Sequence, residues 1–222
     1  MSIDVETKDC TALSDAEIAE IADLTAEGPV THEIGTISKE TETWVLVTRA
    51  HQGAKLKGFA FSTLERIGGT PSVLIGFGCV QRSSKRDTVL RGIIGDLLRR
   101  AVLAFPDEDV LITARFSDTS GFEAFKSLTD VVPRPDHKVS GEERAWGRRI
   151  AKRLGVPTRR YVDREFTVKG DGTAPLVLDH EALDRSKTAD DFAEYFTGLS
   201  ADDGDSIIAT GWAMAEDLAK LV

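Results

Sequence analysis

Two apolar runs bracket a periodic helix in the middle of the chain, and this arrangement constrains the fold more than any other feature. Ser72 to Val80 is apolar at odd and even positions alike, as a central strand covered on both faces should be. Leu90, Ile93, Ile94, Leu97, Leu98, Ala101 and Phe105 then recur at three- and four-residue spacing, with Arg91, Arg99 and Arg100 on the wetter side. Asp107-Glu108-Asp109 closes this helix, and Val110 to Ala114 opens a second buried strand. A strand, helix and strand of these lengths make a crossover. The sequence therefore predicts two parallel strands joined by a right-handed connection, in a mixed α/β fold.

Around this unit the chain punctuates itself. Ser14-Asp15-Ala16-Glu17 is a capping box that starts a helix with Ile18, Ile21 and Ala22 inward, and Gly28-Pro29 stops it. Trp44 to Thr48 and Leu56 to Leu64 read as strands, with a turn at Gly68-Gly69-Thr70-Pro71 before the central strand. Ser120 to Leu128 reads as a short helix. Beyond Pro133 a basic helix starts at Ser140, Tyr161 to Lys169 and Pro175 to Leu178 form a hairpin around Gly170-Asp171-Gly172, and Asp205 to Leu221 is helical with Ile208, Trp212, Ala215 and Leu218 inward. Trp146, Trp212 and Phe196 are expected to be mostly buried. No repeat, low-complexity tract or linker interrupts the chain. The expected organisation is one domain over 1–222, with a core over about 14–130 and a helix, hairpin and helix elaboration over 131–222.

Composition narrows the function classes. With 222 residues, 41% hydrophobic and 29% charged, and a mean hydropathy of −0.17, the chain is neither disordered nor an integral membrane protein. No run approaches the ~18 apolar residues of a membrane span, and the N-terminus lacks a signal-peptide pattern, so no membrane partner is expected. Cys10 and Cys79 fit reduced thiols in a cytoplasm. His32, His51, His137 and His180 are scattered, so no metal is expected. Asp179-His180-Glu181 is explained by Asp179 capping a helix, since three adjacent side chains point apart. There is no G-x-S-x-G, Walker A or G-x-G-x-x-G. The net charge is −9, yet residues 82–164 carry 18 basic against 12 acidic residues. Such an island attracts an anionic ligand or neutralises its acidic flanks; nucleic acid is not expected, because a binder would be basic overall.

The order of helix, two strands, long apolar strand, arginine-bearing turn, amphipathic helix, strand and short helix resembles that of the GNAT-type N-acetyltransferase superfamily over about residues 14–130. The resemblance implies a GNAT-like mixed sheet flanked by helices. It also implies that acetyl-CoA or another acyl-CoA is held at the start of the helix after the fourth strand, in a loop written Q/R-x-x-G-x-G/A. With Arg86 in the first place, Val89 and Arg91 stand where the two glycines belong. The cofactor-binding residues so implied are Val80, Arg82, Lys85, Arg86, Asp87 and Thr88, with the cations acting through their side chains. In the strand and helix that follow, Ala124, Phe125 and Leu128 match the superfamily's apolar pattern. Lys126 stands near its tyrosine acid, and Thr129 and Asp130 replace its Gly-Phe.

Tyr161 and Tyr195 are the chain's two tyrosines, so no tyrosine acid stands in that helix, and Ser72 to Val80 carries no glutamate base. Glu65, Ser117 and Asp118 are the catalytic substitutes that position allows. Two functions follow: an acyl-CoA-dependent N-acyltransferase acting on a small-molecule or peptide amine, or a non-catalytic interaction or assembly module that has lost the cofactor loop. The acceptor and the oligomeric state are not written in the sequence.

Overall fold

The structure, a computed structural model, describes residues 2–28, 30–179 and 187–221. Its strands are β1 (Asp4–Asp9), β2 (Leu46–Gln52), β3 (Lys55–Ile67), β4 (Thr70–Val80), β5 (Val110–Phe116), β6 (Thr129–Val132), β7 (Tyr161–Val162), β8 (Thr167–Val168), β9 (Leu178–Asp179) and β10 (Ser206–Ala213). Its helices are α1 (Asp15–Thr25), α2 (Ile34–Thr43), α3 (Arg86–Ala104), α4 (Gly141–Arg153), α5 (Lys187–Phe196) and α6 (Ala215–Leu218), with a 3-10 turn at Thr119–Phe125. The described strands join one sheet in the order β1-β2-β3-β4-β5-β10-β8-β7, with β6 on β10 and β9 on β4. The fold is a mixed α/β one, mostly antiparallel.

The crossover is as its pattern predicts. β4 and β5 run parallel, with Ser72 opposite Leu111 and Leu74 opposite Thr113, and α3 connects them. Val89, Ile93, Leu97 and Ala101 of α3 pack on Val73, Ile75, Ile112 and Ala114. On the other face α1 and α2 cover Phe59, Phe61, Leu74 and Phe77. Val73 and Ile75 face α3 whereas Phe77 and Cys79 face α1, and the change of side coincides with a register shift between β3 and β4 around Gly76. An extra residue in one strand has this effect. The expected capping box of Ser14 with Glu17 forms, and the helix expected to start at Ser140 carries a second one, Ser140 with Glu143.

The C-terminal part departs from expectation. Ser206 to Ala213 is a strand and not a helix: Ile207 and Ala209 pack on the α3 side and Ile208 under α4, so the segment is buried on both faces between β5 and β8. The helical spacing of Ile208, Trp212, Ala215 and Leu218 was a subset of a continuous apolar run, which periodicity alone cannot assign. The hairpin forms earlier than expected, β7 with β8, turning where Phe166 takes a φ of 56°. The carboxylate of Asp205 holds Lys169 Nζ at 2.9 Å and the Gly170 N–H at 2.8 Å, and the chain beyond leads to β9 on β4. The 120–128 helix is a seven-residue 3-10 turn. Trp146, Trp212 and Phe196 do meet expectation: each is mostly out of water, Phe196 against the α3-side core and Trp146 and Trp212 against the cluster under α4. β1 and α2 carry no sequence signal of their own and form through pairing with β2 and packing on α1.

Candidate functional site

β4 delivers the chain at buried Val80 to a turn that the main chain closes on itself. Gln81 N–H donates to Lys57 O at 2.8 Å, and the Gln81 amide bridges Lys57 Nζ and Glu27. Lys85 is the N-cap of α3 and offers no capping side chain. Arg86 N–H donates to Ser83 O at 3.2 Å, Lys85 N–H to Ser83 Oγ at 3.3 Å, and the Thr88 and Val89 N–H groups to Lys85 O at 3.0 Å. The amides that usually make a helix start attractive to phosphate are thus largely used within the turn.

The side chains are another matter. Arg82, Lys85, Asp87 and Thr88 are exposed, whereas Arg86 is 8% exposed. One Arg86 Nη donates to Ser83 O at 3.3 Å, and its buried Nε has no hydrogen-bond partner and lies 3.7 Å from Asp87 Oδ1. A buried guanidinium so poorly satisfied is costly unless an anion completes it. At the glycine positions of the superfamily's loop, Val89 is buried, and a Cβ on Gly58 would stand 2.7 Å from its Cγ1, so its side chain enters the core and does not cover the turn. Arg91 turns back to Asp87 O at 3.2 Å. The residues present therefore fit a phosphate group through side chains and not through a backbone cradle.

In open α/β sheets ligands enter the crevice beyond the carboxyl ends of the strands. Here the crevice between β4 and β5 holds a piece of the same chain. β9 pairs with β4 in parallel, Leu178 opposite Gly78, and Gly78 N–H donates to Val177 O at 3.1 Å. Leu178 is buried, and a Cβ on Gly78 would lie 2.9 Å from its Cδ1. What remains is a cavity of about 20 Å³, room for one water, beside His32, Phe77, Cys79, Ser117 and Val177. Burial lowers the His32 pKa, and its ring meets Phe77 edge-on.

The three catalytic candidates do not converge. Glu65 lies opposite Ser72, eight residues from Val80 and so about 26 Å away along β4. Its carboxylate pairs with Arg153 Nε at 2.5 Å, tying β3 to α4. It therefore stands apart from Ser117 and Asp118, the other two candidates. Asp118 accepts from the Ser120 N–H at 2.8 Å and from the Ser120 hydroxyl, which caps the 3-10 turn. Ser117 alone borders the crevice. Tyr195 donates to Arg134 O, and burial raises the pKa of Tyr161, whose hydroxyl has no partner. Sequence reasoning set His32 aside with the other scattered histidines and did not single out Arg115. Arg115 donates to Ser206 Oγ at 2.8 Å, and burial pulls its guanidinium down to about 10; an arginine in the buried run Val110–Phe116 was its visible signal. Of the Asp179-His180-Glu181 trio, His180 and Glu181 lie outside the described residues. Among the described residues no group of three or more His, Cys, Asp or Glu could hold a metal, and no helix is long and apolar enough to cross a membrane.

The chain superposes on the ribosomal-protein-S18-alanine N-acetyltransferase of Escherichia coli over 95% of both chains, with a TM-score of 0.50 and 8% identity. The fold is a GNAT-type fold. Aminoglycoside 6'-acetyltransferase type Ii matches at 14% identity over 60% of this chain and 88% of its own, with a TM-score of 0.42. Aminoglycoside N-acetyltransferase AAC(6')-Iy, solved with CoA, matches at 13% identity over 69% and 87%, with a TM-score of 0.39. No family model matches the sequence, and no curated protein matches it significantly. Within this GNAT-type fold, β4, α3 and β5 are the strand, helix and strand around which the candidate turn is built.

Proposed function

We propose that the protein is an acyl-CoA-dependent N-acyltransferase that holds acetyl-CoA or another acyl-CoA at turn 82–88 and passes the acyl group to an amine on a small molecule or peptide. The clustering of three cations, Arg82, Lys85 and Arg86, around the start of α3 carries this reading, because a phosphate is the group such a cluster at a helix start suits. Arg82 and Lys85 add charge from the exposed side of the turn, which Val80 leads into and Asp87 and Thr88 complete. The thioester, when bound, supplies an activated carbonyl. The chain's own part is to anchor and orient it, since among the described residues no acid and base pair converges. The Escherichia coli structure that shares the fold is named an N-acetyltransferase, which supports an amine as acceptor. The reading places the enzyme in the cytoplasm, where the buried thiols Cys10 and Cys79 stay reduced.

Calorimetry with coenzyme A tests the proposal. Each charge-assisted hydrogen bond contributes about 1.5 to 3 kcal/mol, so Arg86→Ala should weaken binding roughly ten- to a hundredfold, while Arg99→Ala, paired with Asp96 further along α3, should leave it unchanged. Absence of binding by the wild type at millimolar coenzyme A would sink it.

A second reading, a non-catalytic interaction or assembly module of the same fold, is favoured by one observation: β9 fills the crevice between β4 and β5. Thiol release from acetyl-CoA with a panel of amines separates the two. Absence of both coenzyme A binding and thiol release supports the module.

A further inference from the structure

A groove of about 810 Å³ runs along α3 from its first turn. Small-molecule sites occupy about 300–1,000 Å³, so the size suits a ligand. Leu90, Ile94 and Leu98 line one side, Leu128 the other, and Leu218 and Leu221 the α6 end. Leu90 to Leu98 alone extends about 12 Å along the helix. The charge on the groove is uneven. Asp87 and Arg91 stand where it meets turn 82–88, while Glu123 and Lys126 sit on one rim, 3.9 Å apart. The far end is apolar except for Asp217. The groove's own charges near the turn are paired by sign, and the cations of the adjoining turn, Arg82, Lys85 and Arg86, stand at its mouth; with the leucine-lined trough beyond they complement an amphiphile with a polyanionic head and an alkyl tail. With β9 in the crevice between β4 and β5, this groove is an open path starting from the same turn.

We infer that the groove takes the arm and alkyl chain of a medium- or long-chain acyl-CoA, with the chain end among Leu98, Leu218 and Leu221. The inference rests on the acyl-CoA reading of turn 82–88 and adds the substrate class. Each methylene buried contributes about 0.8 kcal/mol, roughly fourfold in affinity, so a partly covered decanoyl chain should give decanoyl-CoA at least a tenfold advantage over coenzyme A.

Calorimetry with coenzyme A, acetyl-CoA, decanoyl-CoA below its micelle-forming concentration, and decanoate alone reads this out. Gly95→Leu fills the groove: a Cβ there meets nothing nearer than Arg99 Nη1 at 3.9 Å, and leucine favours the helix over glycine, so the variant keeps its melting temperature. The expected result is an affinity that rises with chain length in the wild type and an advantage for decanoyl-CoA that disappears in Gly95→Leu. Equal affinity for coenzyme A and decanoyl-CoA, or an advantage that survives Gly95→Leu, overturns the groove assignment while leaving turn 82–88 as the anion site. Decanoate binding as tightly as decanoyl-CoA overturns the acyl-CoA identity, and no binding of any of the four overturns both.

Discussion

Arg86 carries a cation into the protein with one hydrogen bond, to Ser83 O, and a buried Nε that has none, and such residues trade stability for binding. Arg86→Met keeps the stem and removes the charge. It should leave the melting temperature unchanged or higher while coenzyme A binding falls; a clear loss of stability would instead mark Arg86 as a structural cation. Gly76 shows the opposite kind of constraint. A Cβ there would lie 2.0 Å from Trp44 Cζ2, and the indole is held by Nε1 donating to Glu40 Oε2 at 2.8 Å. Overpacking of this kind costs about 1–3 kcal/mol and the lost hydrogen bond about 1 more, so Gly76→Ala should melt roughly 5–15 °C lower. Differential scanning calorimetry checks both variants.

At the level of elements, α1 is fastened to the sheet through one carboxylate. Glu17 completes the capping box with Ser14 and reaches Lys8 Nζ at 2.5 Å and Arg49 Nη2 at 2.7 Å, tying α1 to β1 and β2. The Lys8 hydrogen bond, with the Ser14 N–H next, holds its pKa down at about 2 against an ordinary 4.5. A depressed carboxylate stabilises the fold above its unfolded pKa, and this contribution is lost as pH falls from about 4.5 towards 2. Glu17→Gln should therefore lower the melting temperature at pH 7 and flatten its decline over that window. Part of the slope should survive, because Asp9, Asp96 and Glu108 are also held below their ordinary values. A wild-type slope in the variant would show that the cluster does not form.

For the whole molecule, residues beyond Pro133 contribute the strand on which the far half of the sheet depends. β10 pairs with β5 along seven residues and also with β6 and β8. We propose that 1–222 is one domain. Limited proteolysis under native conditions should then yield no stable fragment ending near Pro133, and a folded fragment of about that length would show two. The basic middle of the chain meets its acidic flanks inside the fold, through Arg153 with Glu65 and Arg160 with Asp171. Part of the charge asymmetry is thereby neutralised internally, and turn 82–88 keeps its cations at the surface end of α3.

The sequence by itself determined the crossover and its caps. Ser72 to Val80, the Leu90 to Phe105 periodicity and Val110 to Ala114 are local patterns, and burying two apolar strands beside one amphipathic helix leaves a parallel pair as the economical solution. It also marked the basic turn, because Arg82, Lys85 and Arg86 are adjacent in the chain. Only the tertiary structure decided what depends on distant partners. Ile207 to Ala213 became a strand because β5 and β8 offered edges on both sides. Arg86 became a buried cation while its neighbours stayed in water. Glu65 was carried to the start of β4, away from turn 82–88, and paired with α4. β9 entered the crevice because the diverging end of β4 left N–H and C=O groups that a two-residue strand could satisfy, and such an edge is invisible until the strands are in place.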